Sequence, residues 1–158
     1  MDIKINTGYT SNDIAAEYGS KIYRKRPEQY LGASDCMGIQ NQFFEVLDNA
    51  IDETAEYCAR MKQDYGIDID PVVNVLFLED GTVKIEDSGR GFPCDYSEKY
   101  GDYAINILIE HGSAGGKQRG KSGYSHGSTS GVHGTGITAT MANCEKFYIT
   151  TRTTVGMD

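Results

Sequence analysis

Glu45, Asn49 and Asp52 stand at i, i+4 and i+7 in the run Glu45-Val46-Leu47-Asp48-Asn49-Ala50-Ile51-Asp52-Glu53. In an α-helix that spacing puts three polar side chains on one stripe. On the opposite side Phe43, Leu47, Ile51, Thr54, Cys58 and Met61 recur every three or four residues and predict a mostly apolar face turned to a core. The pattern predicts a helix over residues 39–63, closed near Tyr65-Gly66 by a left-handed cap. Such a stripe is ordinarily a solvated surface. This one differs in setting an uncharged Asn49 between two carboxylates, with two glycine-rich turns further along the chain.

A length of 158 residues suits one domain with a real core. Fifteen Lys and Arg against 23 Asp and Glu give a net charge of −8, which argues against a broad grip on a phosphate backbone. Cys36, Cys58, Cys94 and Cys144 form no CxxC pair, so zinc is not expected and reduced thiols in a cytoplasmic protein are. Met1-Asp2-Ile3-Lys4-Ile5-Asn6 is polar, and neither a secretory pattern nor a membrane-length apolar run appears. Most of the 19 glycines lie between Gly81 and Gly136, concentrated in loops rather than spread along a linker.

In chain order, residues 1–25 read as an irregular arm with a short helix from Ile14, and residues 26–158 as the domain proper. After the long helix, Val72–Leu78 is rich in β-branched and aromatic residues, Glu79-Asp80-Gly81 is a hairpin turn, and Thr82–Glu86 returns as a second strand. That strand delivers Asp87 at the head of Asp87-Ser88-Gly89-Arg90-Gly91-Phe92-Pro93. A carboxylate there can accept a charge-assisted hydrogen bond in a partly buried pocket, and Gly89 and Gly91 let backbone approach a flat ring. Residues 103–109 predict a short helix, and 112–123, with Ala114-Gly115-Gly116-Lys117, a polar glycine-rich loop. Ser130-Gly131-Val132-His133-Gly134-Thr135-Gly136 then runs into a helix over 137–143, the arrangement of an anion site at a helix amino terminus. It is neither a Walker A loop nor a dinucleotide fingerprint. His133 has no metal-binding companion in the sequence, and a loop-positioning role is the expectation. Glu145–Thr153 predicts a last strand.

Together the 45–53 run, the Asp87 turn and the 130–136 turn resemble the ATP site of the superfamily of gyrase B, heat-shock chaperones, histidine kinases and mismatch-repair ATPases. The 45–53 run is most similar to the B subunit of DNA gyrase and topoisomerase IV, and a glutamate at Glu45 favours the hydrolysing branches. Sequence pattern alone supports α+β. The resemblance implies a two-layer α/β sandwich of the gyrase B type ATPase (Bergerat) fold, shortened at its carboxy terminus and without the transducer domain. It further implies ATP and Mg²⁺ as ligands, with Glu45 the catalytic base, Asn49 the magnesium ligand and Asp52 in support. Asp87, with Gly89 and Gly91, would hold adenine. Gly131, Val132, His133, Gly134, Thr135 and Gly136 would wrap the phosphates, and Lys117, with Arg119 or Lys121, would close over them as a lid. Ser130 and Thr135 replace the glycine and valine of the family pattern and leave the phosphate glycines in place. Tyr9 precedes Arg26-Pro27 by the family interval, which implies an arm that reaches a second copy and touches its nucleotide. Arg90 would pair with Glu53. Contacts with a gyrase A type subunit and with DNA would belong to the full-length enzyme, where hydrolysis drives strand passage, and no membrane contact is expected. The alternative is a non-catalytic module in which nucleotide gates dimerisation.

Overall fold

The structure, a computed structural model, describes residues 20–110 and 135–153. Its spine is a 30-residue helix, α3 (Cys36–Tyr65), preceded by the short helices α1 (Ser20–Lys25) and α2 (Pro27–Leu31). Asp35 starts α3, its side chain accepting a hydrogen bond from the Met37 N–H at 2.9 Å. The other end is closed at Gly66, with the Gly66 N–H bonded to Lys62 O and the Ile67 N–H to Met61 O, both at 3.1 Å. The helix begins earlier than its apolar pattern predicts, because the Asp35 cap recruits the turn before the pattern begins, and it closes at Gly66 as expected.

The strands β1 (Val73–Phe77) and β2 (Val83–Asp87) form the expected antiparallel hairpin, in register Val73↔Asp87, Val75↔Ile85, Phe77↔Val83. Asp80 Oδ1 accepts from the Thr82 N–H at 2.9 Å in the turn. The pairing puts Val73, Val75, Phe77, Val83 and Ile85 on one face, and α3 packs against both strands. There the Phe43 and Phe77 rings lie 5.9 Å apart. A second, two-residue-per-strand hairpin, β3 (Tyr96–Ser97) with β4 (Asp102–Tyr103), was not signalled by the sequence and leads into α4 (Ala104–Glu110). Last comes α5 (Gly136–Asn143), which packs against α1, α2 and α3. Tyr23, Leu31, Ala139 and Ala142 make the buried cluster between them, with the Tyr30 ring 4.5 Å from that of Tyr23. Asn143 Nδ2 donates to Tyr23 O at 3.4 Å, and Arg24 donates to Ala142 O, tying α1 to the end of α5.

Two expectations need correction. Residues 145–153 form no strand, because a strand exists only through a ladder with a neighbour and this run has none among the described residues. Its anchor is a side chain: Thr151 Oγ1 accepts from the Phe92 N–H at 2.8 Å. The apolar face of α3 is also only partly covered. Thr54 is buried at 2% exposure, but Ile51 remains 47% exposed, and the other fully buried positions of the helix are Gly38 and Ala50. Gly38 is buried because the Ala33 backbone lies against it where a β-carbon would stand. Among the described residues no helix is long and apolar enough to cross a membrane.

Candidate functional site

Glu45, Asn49 and Asp52 project from α3 and are all half-buried, so the stripe faces a neighbour rather than open solvent. The neighbour at Glu45 is the first turn of α5. A β-carbon placed on Gly136 would meet the Glu45 carboxylate, with Glu45 Cδ 2.6 Å away, so a side chain here would require the carboxylate to move from the α5 amino terminus. Thr135 precedes it as the N-cap residue, without a side-chain capping bond. The pairing of Glu45 with Gly136 therefore brings two predicted site residues, 91 positions apart in sequence, into contact.

The Asn49 side chain is oriented by its own helix. Its Nδ2 lies 2.5 Å from Glu45 O, and since a carbonyl can only accept, the amide nitrogen is committed there. The oxygen Oδ1 is the end left to meet a cation. Among the described residues no three His, Cys, Asp or Glu side chains gather into a metal cage. A divalent ion at this place would thus take one neutral protein oxygen and fill its shell with water and phosphate, the habit of magnesium. The residues present fit that ion.

The second half of the site sits two turns along, at Glu53. Asp87 ends β2 and folds its Oδ1 back to accept from the Gly89 N–H at 2.9 Å, while Ser88 and Val72 exchange two bonds of 3.0 Å. The loop then rests on α3: a β-carbon at Gly89 would lie 2.7 Å from Glu53 Cγ. Arg90 pairs with the same Glu53, its Nη2 donating to Oε2 at 3.1 Å and its Nε lying 2.7 Å from Oε1 as an ion pair, as the sequence resemblance implied. Gly91, at φ +79°, turns the chain against the Thr151–Arg152 backbone. Asp87 itself is exposed, not partly buried as expected, because beyond the hairpin no further strand covers it among the described residues.

Glu45 and Glu53 are eight residues apart, or about 12 Å along the axis at 1.5 Å per residue. A ligand touching both ends has to be elongated. A groove of about 250 Å³ opens beside Glu45, lined by Tyr30, Leu31, Asn41, Phe44 and Asp48, and one of about 290 Å³ beside Asp87, lined by Val72, Asn74, Glu86 and Ser88. Tyr9, Lys117, Gly131, Val132, His133 and Gly134 lie outside the described residues. Sequence reasoning missed the anchoring of Phe92 by Thr151, for which no local signal exists, and the ion pair of Glu56 with Arg60, 2.7 Å apart, which the i, i+4 spacing could have revealed.

Burial raises the Glu45 carboxyl above its ordinary value of 4.5, and the neighbouring Asp48 charge adds to the rise. The folded protein therefore holds this proton more tightly than the unfolded chain does. Stability contributed by protonation is fully present below 4.5, is lost as pH rises through the elevated folded value, and does not change above it. Glu45→Gln should remove that loss. Melting temperature measured from pH 4 to 7 is expected to fall less steeply with rising pH in the variant, and identical slopes would refute the raised value.

No protein-family model matches the chain. Curated relatives do. The DNA gyrase B subunit of Haloferax volcanii is 34% identical over 135 residues, which is 85% of this chain and 19% of the relative. The DNA topoisomerase 4 B subunit of Staphylococcus aureus is 33% identical over 137 residues, 87% of this chain and 18% of the relative. The chain thus spans about a fifth of the length of these relatives. Among solved structures, the 43K ATPase domain of Thermus thermophilus gyrase B, in complex with an aminocoumarin, superposes with a TM-score of 0.50 at 26% identity, covering 77% of this chain and 25% of that one. Over the stretch these alignments cover, the chain is a homologue of the DNA gyrase B and topoisomerase IV B proteins and has the α+β fold of the gyrase B ATPase domain.

Proposed function

We propose that this chain binds ATP with Mg²⁺ and hydrolyses it as the ATPase region of a type II topoisomerase of the gyrase B kind. The observation that carries this reading is the placing of two distinct contacts on one helix. Glu45 meets the amino terminus of α5 at Gly136, and two turns on Glu53 seats the loop that bears Asp87.

The residues divide the work by charge. The first turn of α5 offers backbone N–H groups to anionic oxygens, and Gly131 to Gly134 with Lys117, outside the described residues, would by their sequence pattern serve the same triphosphate. Glu45, beside that turn, holds the attacking water by its carboxylate and takes its proton, a role to which a raised carboxyl value is suited. Asn49 Oδ1 would hold the magnesium, which supplies neutralisation of phosphate charge when bound. Asp52 supports the stripe from the same helix face. Asp87 selects adenine by accepting from its exocyclic amino group, while Gly89 and Gly91 let the turn that carries it seat against Glu53 and the 151–152 segment. In the full-length enzyme, hydrolysis would drive DNA strand passage together with a gyrase A type subunit, and the arm bearing Tyr9 would link two copies.

Calorimetric titration with a non-hydrolysable ATP analogue and Mg²⁺ tests this on the chain and on Asp87→Asn. Asparagine keeps a single acceptor oxygen, which the Gly89 N–H claims, and turns its NH2 toward the adenine amino group, so affinity should fall by about 10- to 100-fold. Equal affinity in the two proteins would remove Asp87 from the adenine site, and no binding by either would overturn the nucleotide reading.

A further inference from the structure

Glu53 and Arg90 are not an isolated pair. Arg60 Nη2 lies 2.7 Å from Glu56 Oε1, and the same Glu56 oxygen lies 3.8 Å from Arg90 Nη2, the arm that reaches Glu53 Oε2 at 3.1 Å. Four charges of alternating sign thus run Arg60, Glu56, Arg90, Glu53 up one side of α3, and the last of them carries Gly89 on its side-chain stem. The group is partly sheltered: side-chain exposures run from 22% to 38%, and Glu53 Oε1 and Arg60 Nε are closed off from solvent. Salt screens such charges less than a fully exposed pair.

From this geometry we infer that Glu56 and Arg60 are positioning residues for the Asp87–Gly91 loop, acting through Arg90. Arg90 Nη2 stands between two carboxylates. Were Glu56 unopposed, it would compete with Glu53 for the guanidinium and draw Arg90 down the helix. Arg60, one turn beyond, engages Glu56 at hydrogen-bond distance and keeps it 3.8 Å from Arg90. Glu56 then steadies the guanidinium without capturing it, Arg90 stays clasped to Glu53, and the loop stays seated. The isolated worth of each pair is small, on the order of 1 kcal/mol or less. Its effect is on aim, because a small displacement of an orienting carboxylate costs far more in binding than in stability.

The swap Glu56→Arg with Arg60→Glu separates these roles. It keeps an i, i+4 ion pair on the helix surface but sets a guanidinium against Arg90. Hydrogen exchange of the nucleotide-free chain reads the loop directly, since the Ser88, Gly89 and Phe92 amides are all hydrogen-bonded. Exchange across residues 87–92 should quicken about fivefold in the swap, with the melting temperature and exchange elsewhere in α3 near wild type. Glu56→Gln, which removes the charge without repulsion, should show the same pattern at about twofold, and Arg60→Lys should retain wild-type exchange. Unchanged loop exchange in both the swap and Glu56→Gln, or faster exchange spread evenly over the molecule, would overturn the inference. A second arm rests on the proposed nucleotide site: the swap should weaken binding of a non-hydrolysable ATP analogue about fivefold. Absence of binding by the wild type would count against that site, while the exchange measurement would still decide the role of Glu56 and Arg60.

Discussion

Glu45→Ala is expected to lower ATP turnover by about 10²- to 10⁴-fold, the range that a positioned general base contributes. Nucleotide affinity should stay within about threefold of wild type, because a group that acts on water in the transition state adds little to ground-state binding. The structure gives reasons to expect that separation. The Glu45 carboxylate touches Gly136 at the mouth of α5 and is half-buried. Asn49 is oriented by the Glu45 backbone oxygen, not by its carboxylate, so truncating the side chain leaves the proposed magnesium ligand where it was. Removing a half-buried carboxylate from beside Asp48 also relieves a repulsion, and the fold should not suffer. Phosphate release and calorimetric binding on the same preparation check both halves. Unchanged turnover would end the assignment of Glu45 as base, and joint loss of turnover and binding would make it a ligand-binding group instead.

Gly91→Ala should be strongly destabilising, costing about 3 kcal/mol. Two independent penalties meet there. The residue sits at φ +79°, where a side chain is strained. The new β-carbon would also sit 2.8 Å from Thr151 Oγ1 and 3.0 Å from Arg152 C, and a backbone neighbour cannot swing aside as a side-chain tip can. Retreat of Thr151 and Arg152 would pull Thr151 Oγ1 from the Phe92 N–H, releasing the final extended segment from this turn. Urea unfolding of wild type and variant measures the cost. A difference below about 1 kcal/mol would mean that the 151–152 segment yields without resistance.

The long helix and the β1–β2 hairpin were legible in the sequence because each is specified locally. Period-3.6 apolar residues run through the first, and β-branched runs flank Asp80-Gly81 in the second. Helices of six and five residues around Pro27 were not, since one turn holds too few positions to show a period, although Pro27 at the start of α2 was a usable signal. Residues 145–153 have strand composition but lack a ladder among the described residues, which composition cannot foresee. The exposed Ile51 has the same origin, since burial is decided by what arrives from elsewhere in the chain. Of the site, the Glu45–Asn49–Asp52 stripe, Asp87 at a strand end and the Arg90–Glu53 pair could be read in advance. The seating of Gly89 on Glu53 and of Gly136 on Glu45 could not, because each joins residues far apart in the chain through the absence of a side chain.

Because α3 is unbroken from Cys36 to Tyr65, the separation and the relative bearing of Glu45 and Glu53 are set by residue count alone. Each residue added between them would turn one end by about 100° and lengthen the gap by about 1.5 Å. Apart from Asn49 and Asp52, side chains within that interval are free to vary wherever packing allows. Its length is not: an insertion or deletion there would leave a well-formed helix whose two ends could no longer meet the proposed nucleotide together.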